Sequence, residues 1–186
     1  MTVRELRWED FDALVESYWE LYEERERGEP IGIGLFEKPP TRAEEAVWFA
    51  GVYSRVAAGE EIAVIAEAEG RAVGMCSVRS TFPGGRSSDG GHVGELGILV
   101  DYRHRGQGHG RAMIVRALEL ARARFDVVRL WVFSTNVGAK RLYERLGFVT
   151  TGRMPLAVHR GSTYIDTELM YIDLRSGAAP APAEKR

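Results

Sequence analysis

Apolar residues recur at helical spacing in the first sixty positions, and this pattern predicts two amphipathic helices. The first covers about 9–27 and the second about 41–59, and both stop at a glycine. The second begins with "TRAE", the form of a capping box in which Thr41 caps the helix and Glu44 reaches back to it. The segment "VRELRW" (3–8) alternates enough to predict a short strand before the first helix.

The rest of the chain alternates between apolar runs typical of strands and two further helical stretches. The helices are predicted from about Gly108 to about Phe125 and over 136–148. The strands are "EIAVIAEAEG", "RAVGMCSVRS", "HVGELGILV" (92–100), "DVVRLWVF" (126–133), "VTTGRMPLAVHR" and "STYIDTELMYIDL". The element order β α α β β β α β α β β predicts an α/β fold with about seven strands and about four helices.

The length of 186 residues is typical of one domain. We expect that domain at residues 1–174, followed by a disordered tail at 175–186, because "RSGAAPAPAEKR" is rich in Pro and Ala. A net charge of −2 gives no reason to expect nucleic acid as a partner. No apolar run approaches the ~18 residues of a membrane span, and the N-terminus resembles no signal peptide. The expected location is therefore the cytoplasm.

Cysteine and histidine usage narrows the chemistry. The single cysteine, Cys76, lies in a predicted strand, and a buried core residue is favoured over a nucleophile. The four histidines, at 92, 104, 109 and 159, have no metal-ligand spacing, so we expect no metal.

Three glycines crowd the segment "RGQGHG" (105–110), between a predicted strand and a predicted helix. A dinucleotide-binding fingerprint does not fit, because Arg111 stands where its third glycine belongs. A Walker A loop does not fit either, because it needs a Gly-Lys pair. Arg105, Gly108 and Gly110 match R/Q-x-x-G-x-G/A, the pyrophosphate loop of acyl-coenzyme-A binders. A glycine-rich turn without a ligand remains the alternative.

The physical chemistry of this segment suits a pyrophosphate. A helix that starts at about Gly108 directs unpaired backbone N–H groups and the positive end of its dipole at the loop. Glycine lets phosphate oxygens approach the backbone. Arg103, Arg105 and Arg111 add positive charge.

The sequence resembles the GNAT N-acetyltransferase superfamily over about residues 2–174. "DYRHRGQGHGRAM" is similar to its pyrophosphate motif, and "VFSTNVGAKRLYERLGF" is similar to N-x-x-A-x-x-x-Y-x-x-x-G-F, about thirty residues later. The matching residues of the second motif are Asn136, Ala139, Tyr143, Gly147 and Phe148. The chain departs from the pattern at His109, where an aliphatic residue is usual, and at Tyr102, where a proline is frequent. We expect His109 to alter packing only.

The resemblance implies a mixed sheet that splays between its fourth and fifth strands, and direct acetyl transfer from acetyl-CoA to an amine. The pantetheine arm would lie in that gap, paired with the backbone around Ile98 and Val100. Asn136 would bond the arm or a water, or act as a helix N-cap. The implied cofactor contacts are Ile98, Leu99, Val100, Arg105, Gly106, Gln107, Gly108, His109, Gly110, Arg111, Asn136, Ala139 and Tyr143.

Three residues are candidates for proton transfer. Tyr143 would protonate the departing thiolate, although helical spacing alone would make it a core aromatic. An amine with a pKa near ~10 is almost wholly protonated at neutral pH, and recovering its neutral form costs roughly 4 kcal/mol. Glu95 is the candidate base for this step, with a sheet-edge charge or a substrate anchor as alternatives. His92 is a candidate relay or a plain surface residue.

The acceptor, a small-molecule or peptide amine, is expected between the loop at 28–40 and the final hairpin. Candidate lining residues are Glu29, Phe36, Glu37, His159 and Tyr164. The resemblance also implies a homodimer, and neither a nucleic acid nor a membrane is expected as a partner. Two other classes stay open: an acyl-CoA-binding regulatory module without turnover, and a nucleotide-binding protein of another fold.

Overall fold

The computed structural model describes residues 1–82 and 85–175. The predicted tail lies outside the described residues from 176 onward. The strands are β1 (Thr2–Glu5), β2 (Glu61–Ala68), β3 (Arg71–Arg79), β4 (Val93–Val100), β5 (Val127–Phe133), β6 (Val149–Arg160) and β7 (Thr163–Asp173). The helices are α1 (Phe11–Glu26), α2 (Arg42–Ala57), α3 (His109–Ala121) and α4 (Val137–Arg145). The seven strands form one sheet in the order β1-β2-β3-β4-β5-β7-β6, so the predicted α/β fold class is confirmed.

Apolar clusters cover the two faces of the sheet. The larger cluster packs α3 and α4 against β3, β4, β5 and β7, with Met113, Ile114 and Met170 fully buried. The smaller cluster packs α1 and α2 against β2 and β3. Successive residues of a strand point to opposite faces. Leu96 therefore lies in the larger cluster, whereas its neighbour Glu95 faces the side of α1 and α2.

Helix ends follow the predicted signals with two differences. The capping box of α2 is present, since the Glu44 N–H donates to Thr41 Oγ1 and the Thr41 N–H donates to the Glu44 carboxylate. At α1 a single 3-10 turn at 8–10 precedes the α-helix. The third predicted helix ends at Ala121 rather than near Phe125, because the chain continues in turns from residue 122. Gly147, with a φ of +94°, follows the end of α4 as predicted.

The sheet opens between β4 and β5, which run parallel. Their register pairs are Val93 with Val127, Gly94 with Val128 and Glu95 with Arg129. Beyond Glu95 the two strands separate, while β4 stays paired with β3 as far as residue 100 and β5 with β7 as far as residue 133. The predicted splay is thus present. Because a helix follows each of these strands, α3 and α4 both begin at the end of the sheet where the gap opens.

Candidate active site

The glycine loop presents bare backbone at the start of α3. Gly106 and Gly108 have φ values of +75° and +90°, a left-handed conformation that strongly favours glycine. A Cβ added at either position would meet nothing within 4 Å, so the loop is open in front of the helix. In the described part of the chain no side chain caps α3. The first N–H groups of α3 are therefore available to an anion.

The arginines of this loop are engaged with α1. Arg105 makes a two-pronged pair with Glu24, at 2.7 and 2.9 Å, and its Nε donates to the carbonyl of Val100 at 3.2 Å. Arg103 pairs with Glu20 and lies 3.5 Å from an Asp101 oxygen. The charge expected to neutralise a ligand is thus partly balanced within the protein. Arg111, in the first turn of α3, is half-buried.

The sequence did not predict that Glu20 and Glu24 would pair with the arginines of the loop. A signal was available for Glu24, because it falls on the buried stripe of α1 with Leu14, Ser17 and Leu21. A charged residue on an apolar stripe requires a partner, since an unpaired charge is costly to bury. The amide of Gln107 also braces the loop, as it donates to the carbonyl of Arg103 at 2.8 Å.

His109 is the first residue of α3, and its side chain is buried at 4% exposure. Its ring lies edge-on to His104, with centroids 5.9 Å apart. Burial, with a smaller contribution from His104, lowers the pKa of His109. Among the described residues neither ring has a hydrogen-bond partner at its Nδ1, although His104 Nδ1 lies 3.4 Å from an Asp101 oxygen. The residue that departs from the family pattern thus sits inside the fold beside the loop.

The edge of β4 beyond residue 95 lines the gap. Ile98 and Val100 pack against the larger cluster, and Leu99 faces the other side of the sheet. Gly110 lies above this edge, where an added Cβ would be 3.7 Å from Ile98 Cδ1. The Val100 carbonyl, expected to pair with a ligand, accepts the bond from Arg105 described above.

Asn136 stands at the opposite wall, at the start of α4. Its Oδ1 accepts the N–H of Ala139 at 3.2 Å, so the predicted N-cap is present. Its amide nitrogen faces Gly32 of the α1–α2 loop, where an added Cβ would lie 2.2 Å from Nδ2. A side chain at position 32 would therefore displace the Asn136 amide, and the loop packs directly on the residue that caps α4.

Tyr143 lies two turns into α4 in the larger cluster, with 7% exposure and its ring 5.8 Å from that of Phe148. Burial raises the pKa of the Tyr143 phenol, and the nearby Cys76 adds to the effect. The phenol is consequently protonated at neutral pH and able to donate. Cys76 is fully buried and burial raises its pKa, which confirms the prediction of a core thiol.

Glu95 lies on the opposite face of the sheet, in a row of side chains that crosses four strands. The register places Arg79 on one side of it and Arg129 on the other, followed by Tyr171. Glu95 is paired with Arg129 at 3.0 Å and lies 3.5 Å from the hydroxyl of Thr81. A carboxylate flanked by two arginines therefore lies at the last paired position before the gap.

His92 lies just before β4 with an exposed side chain. Its Nδ1 is 3.0 Å from the carbonyl of Asp89.

The α1–α2 loop and the β6–β7 hairpin, predicted to flank the acceptor, are joined directly. Arg160 of β6 donates to the carbonyls of Ile31 and Ile33 at 3.0 and 2.8 Å. The same guanidinium lies over the ring of Phe133 at the end of β5. The Arg160 contacts therefore bring the loop, the hairpin and the wall of the gap together.

The candidate lining residues lie on these two segments. His159 and Tyr164 stack at 4.5 Å, and Tyr164 and Phe36 are 55% and 68% exposed. Glu29 is paired with Arg27, and the carbonyl of Glu37 accepts a bond from Arg25.

Within residues 1–82 and 85–175, no cluster of three or more His, Cys, Asp or Glu side chains is arranged to hold a metal ion. No helix in those two ranges is long and apolar enough to cross a membrane.

A seven-stranded sheet opened at a parallel pair, with an uncapped glycine loop at the opening, defines an acyltransferase type of fold and site. The family model for the acetyltransferase (GNAT) family matches residues 2–148. The chain belongs to this family.

The relatives include acyltransferases that are named for amino acids or amino-acid derivatives. The chain is 30% identical over 135 residues to the L-amino acid N-acyltransferase MnaT of Escherichia coli, covering 72% of this chain and 74% of that protein. It is 30% identical over 109 residues to the L-methionine sulfoximine/L-methionine sulfone acetyltransferase of Salmonella typhimurium, covering 58% of this chain and 64% of that enzyme. A mycothiol acetyltransferase of Beutenbergia cavernae is 46% identical over 69 residues, 36% of this chain and 22% of that protein. The chain thus spans less than two thirds of the latter two relatives.

Solved structures share the fold. YncA of Salmonella typhimurium, solved with its cofactor acetyl-CoA, superposes with a TM-score of 0.79 at 23% identity and 98% coverage of both chains. A phosphinothricin acetyltransferase of Sinorhizobium meliloti in complex with acetyl-CoA gives 0.77 at 24% identity, covering 98% of this chain and 93% of that one.

Proposed function

We propose that this protein transfers an acetyl group from acetyl-CoA to the primary amine of an amino acid or a related small molecule, by direct attack in a ternary complex. The observation that carries the proposal is the gap after Glu95, which opens onto the uncapped start of α3. One face of the gap carries Tyr143 and the other Glu95, so a thioester in the gap has a proton donor and a base on opposite sides.

We place the cofactor contacts on the backbone of the glycine loop and on the two walls of the gap. The backbone N–H groups of Gly106, Gln107, Gly108, His109, Gly110 and Arg111 bind the pyrophosphate. The edge of β4 at Ile98, Leu99 and Val100 pairs with the pantetheine arm. Asn136 and Ala139 line the arm from the start of α4.

The reaction moves three protons, two from the acceptor nitrogen and one to the leaving sulfur. The acceptor ammonium gives one to Glu95, directly or through water, and the neutral nitrogen attacks the thioester carbonyl. The carbon–sulfur bond breaks, and the sulfur leaves with the electron pair and takes a proton from the Tyr143 phenol. After the attack the nitrogen is positively charged and loses its second proton to solvent, so the products are an amide and the free thiol. Solvent also returns a proton to Tyr143 and removes one from Glu95, and the overall reaction releases one proton.

The arginines beside Glu95 favour an acceptor that carries a carboxylate. Guanidinium groups bind carboxylates with two parallel hydrogen bonds. Arg79 is exposed and stands next to Glu95 in the register, with Arg129 on the other side. An α-amino acid has an ammonium for Glu95 and a carboxylate for this arginine pair. The names of two relatives, which act on L-amino acids and on methionine derivatives, agree with this assignment.

The test measures thiol release from acetyl-CoA with a panel of acceptors. We expect turnover with α-amino acids and a loss of roughly tenfold or more in kcat/KM for their amides, which lack the carboxylate. Release with peptides alone would move the acceptor to a protein N-terminus. Binding of acetyl-CoA without release for any amine would identify a regulatory binding module. Stabilisation by ATP or NAD instead of acetyl-CoA would overturn the proposal.

A further inference from the structure

The C-terminal half of α1 carries two carboxylates that face the pyrophosphate loop. Glu20 and Glu24 are one helical turn apart, so they share a face of α1. They pair with Arg103 and Arg105, two residues apart in the loop. The reaction steps above use neither glutamate.

The Glu24–Arg105 ion pair links three elements of the fold. The side chain of Glu24 is 1% exposed, and each of its oxygens accepts a bond from the guanidinium. An ionised carboxylate is costly to bury unless it is paired in this way. Because Arg105 Nε also donates to Val100, one guanidinium joins α1, the end of β4 and the loop. The contacts of Arg105 therefore hold the loop against both α1 and the end of β4.

Glu20 forms the outer half of the arrangement. Its side chain is 19% exposed, and its Oε2 is buried without a hydrogen-bond partner among the described residues. Arg103, its partner, accepts a bond at its carbonyl from Gln107, which lies directly before Gly108. The pairing with Glu20 is therefore linked to the glycine backbone by one further hydrogen bond.

Two carboxylates beside an anion site repel the anion and offset the charge of the arginines. If the arginines only attracted pyrophosphate, removing either carboxylate would strengthen CoA binding. If the carboxylates hold the loop in shape, removing them weakens binding, because preorganised N–H donors are lost. The two roles predict effects of opposite sign.

We propose that Glu24, with Glu20, is a positioning residue that holds the pyrophosphate loop in its binding conformation through Arg105 and Arg103. The inference rests on the proposed function, since it assumes that the loop binds the pyrophosphate of CoA. It assigns no chemical step to either glutamate.

The experiment compares Glu24→Gln and Glu20→Gln with the matched control Glu23→Gln. Glu23 is the neighbour of Glu24, and its side chain is 72% exposed. Each variant is assayed with acetyl-CoA and with S-acetylpantetheine, which has the thioester and the arm without the pyrophosphate. We expect the KM for acetyl-CoA and the Kd for CoA to rise about tenfold, with kcat within about twofold. The kcat/KM for S-acetylpantetheine should stay within about twofold of wild type, and Glu23→Gln should match wild type throughout.

Tighter or unchanged CoA binding in folded variants would overturn the inference. So would an equal loss with both donors, because that is the effect of general destabilisation. If Glu24→Gln does not fold, Glu20→Gln decides, since its side chain is at the partly exposed rim. The binding of CoA to the wild type is measured first. Its absence would overturn the proposed function together with this inference, whereas binding that the variants do not weaken would overturn the inference alone.

Discussion

Replacing Tyr143 by Phe isolates the phenolic proton from the packing of the ring. The residue is 7% exposed and its ring contacts the larger cluster, including Phe148 at 5.8 Å. Phenylalanine keeps these contacts, so we expect a change of less than about 1 kcal/mol in the free energy of unfolding. The change removes only the phenolic hydroxyl, whose proton would pass to the leaving sulfur.

The expected loss in kcat is about 10²–10⁴, the range for general acid catalysis, or about 2.7–5.4 kcal/mol in activation free energy. Burial raises the pKa of Tyr143, so the folded protein keeps the phenol protonated beyond its ordinary titration near pH 10. The wild-type kcat should therefore show no alkaline decline from this group below about pH 10. Acetyl-CoA affinity should change little.

The assay follows thiol release under conditions where chemistry limits the rate. A second acyl donor with a more acidic leaving thiol sharpens the test, because a better leaving group needs less help from an acid. The loss in Tyr143→Phe should shrink with that donor. Tyr53→Phe on α2, remote from the gap, is the matched control. An unchanged kcat, or an equal loss with both donors, would refute the acid role and leave Tyr143 as a packing residue.

Glu95→Gln should lower kcat/KM mainly on the acid side of the pH profile, where most of the acceptor amine is protonated; a uniform loss across the profile would favour a substrate anchor. His109→Leu should stabilise the protein relative to wild type as the pH falls below about 6.5. Burial lowers the pKa of His109, so the unfolded chain binds the proton first and wild-type stability falls with pH. Thermal melts of both proteins from pH 7.5 to 5 test this, and parallel curves would contradict it.

The sequence predicted the elements well because their signals are local. The capping box at Thr41 and the glycine after α4 involve residues close together in the chain, and both are present. Helical spacing predicts an end of α3 near Phe125, whereas the helix ends at Ala121. Residues 122–125 continue the mixed polar and apolar pattern of the helix, so the spacing of apolar residues does not predict the turn that follows Ala121.

The sequence alone does not predict ion pairs between residues that are far apart in the chain. The sequence predicts that Arg103 and Arg105 supply charge for a ligand, but their partners are more than eighty positions earlier in α1. Glu95 was identified as a carboxylate near the gap, yet its two arginine neighbours come from β3 and β5. Composition shows that such charges exist, and only the strand register shows which of them meet.

The parallel pairing of β4 with β5 explains why two motifs about thirty residues apart form one site. Each strand is followed by a helix, so parallel strands put the starts of α3 and α4 at the same end of the sheet. Separation after Glu95 then leaves a gap between those helix starts and gives it two faces. The alternation of side chains along a strand assigns Glu95 to one face, while the inward side of α4 assigns Tyr143 to the other. In the proposed reaction, the nucleophile and the proton donor therefore approach one thioester from opposite faces, and the site depends on where the strands part.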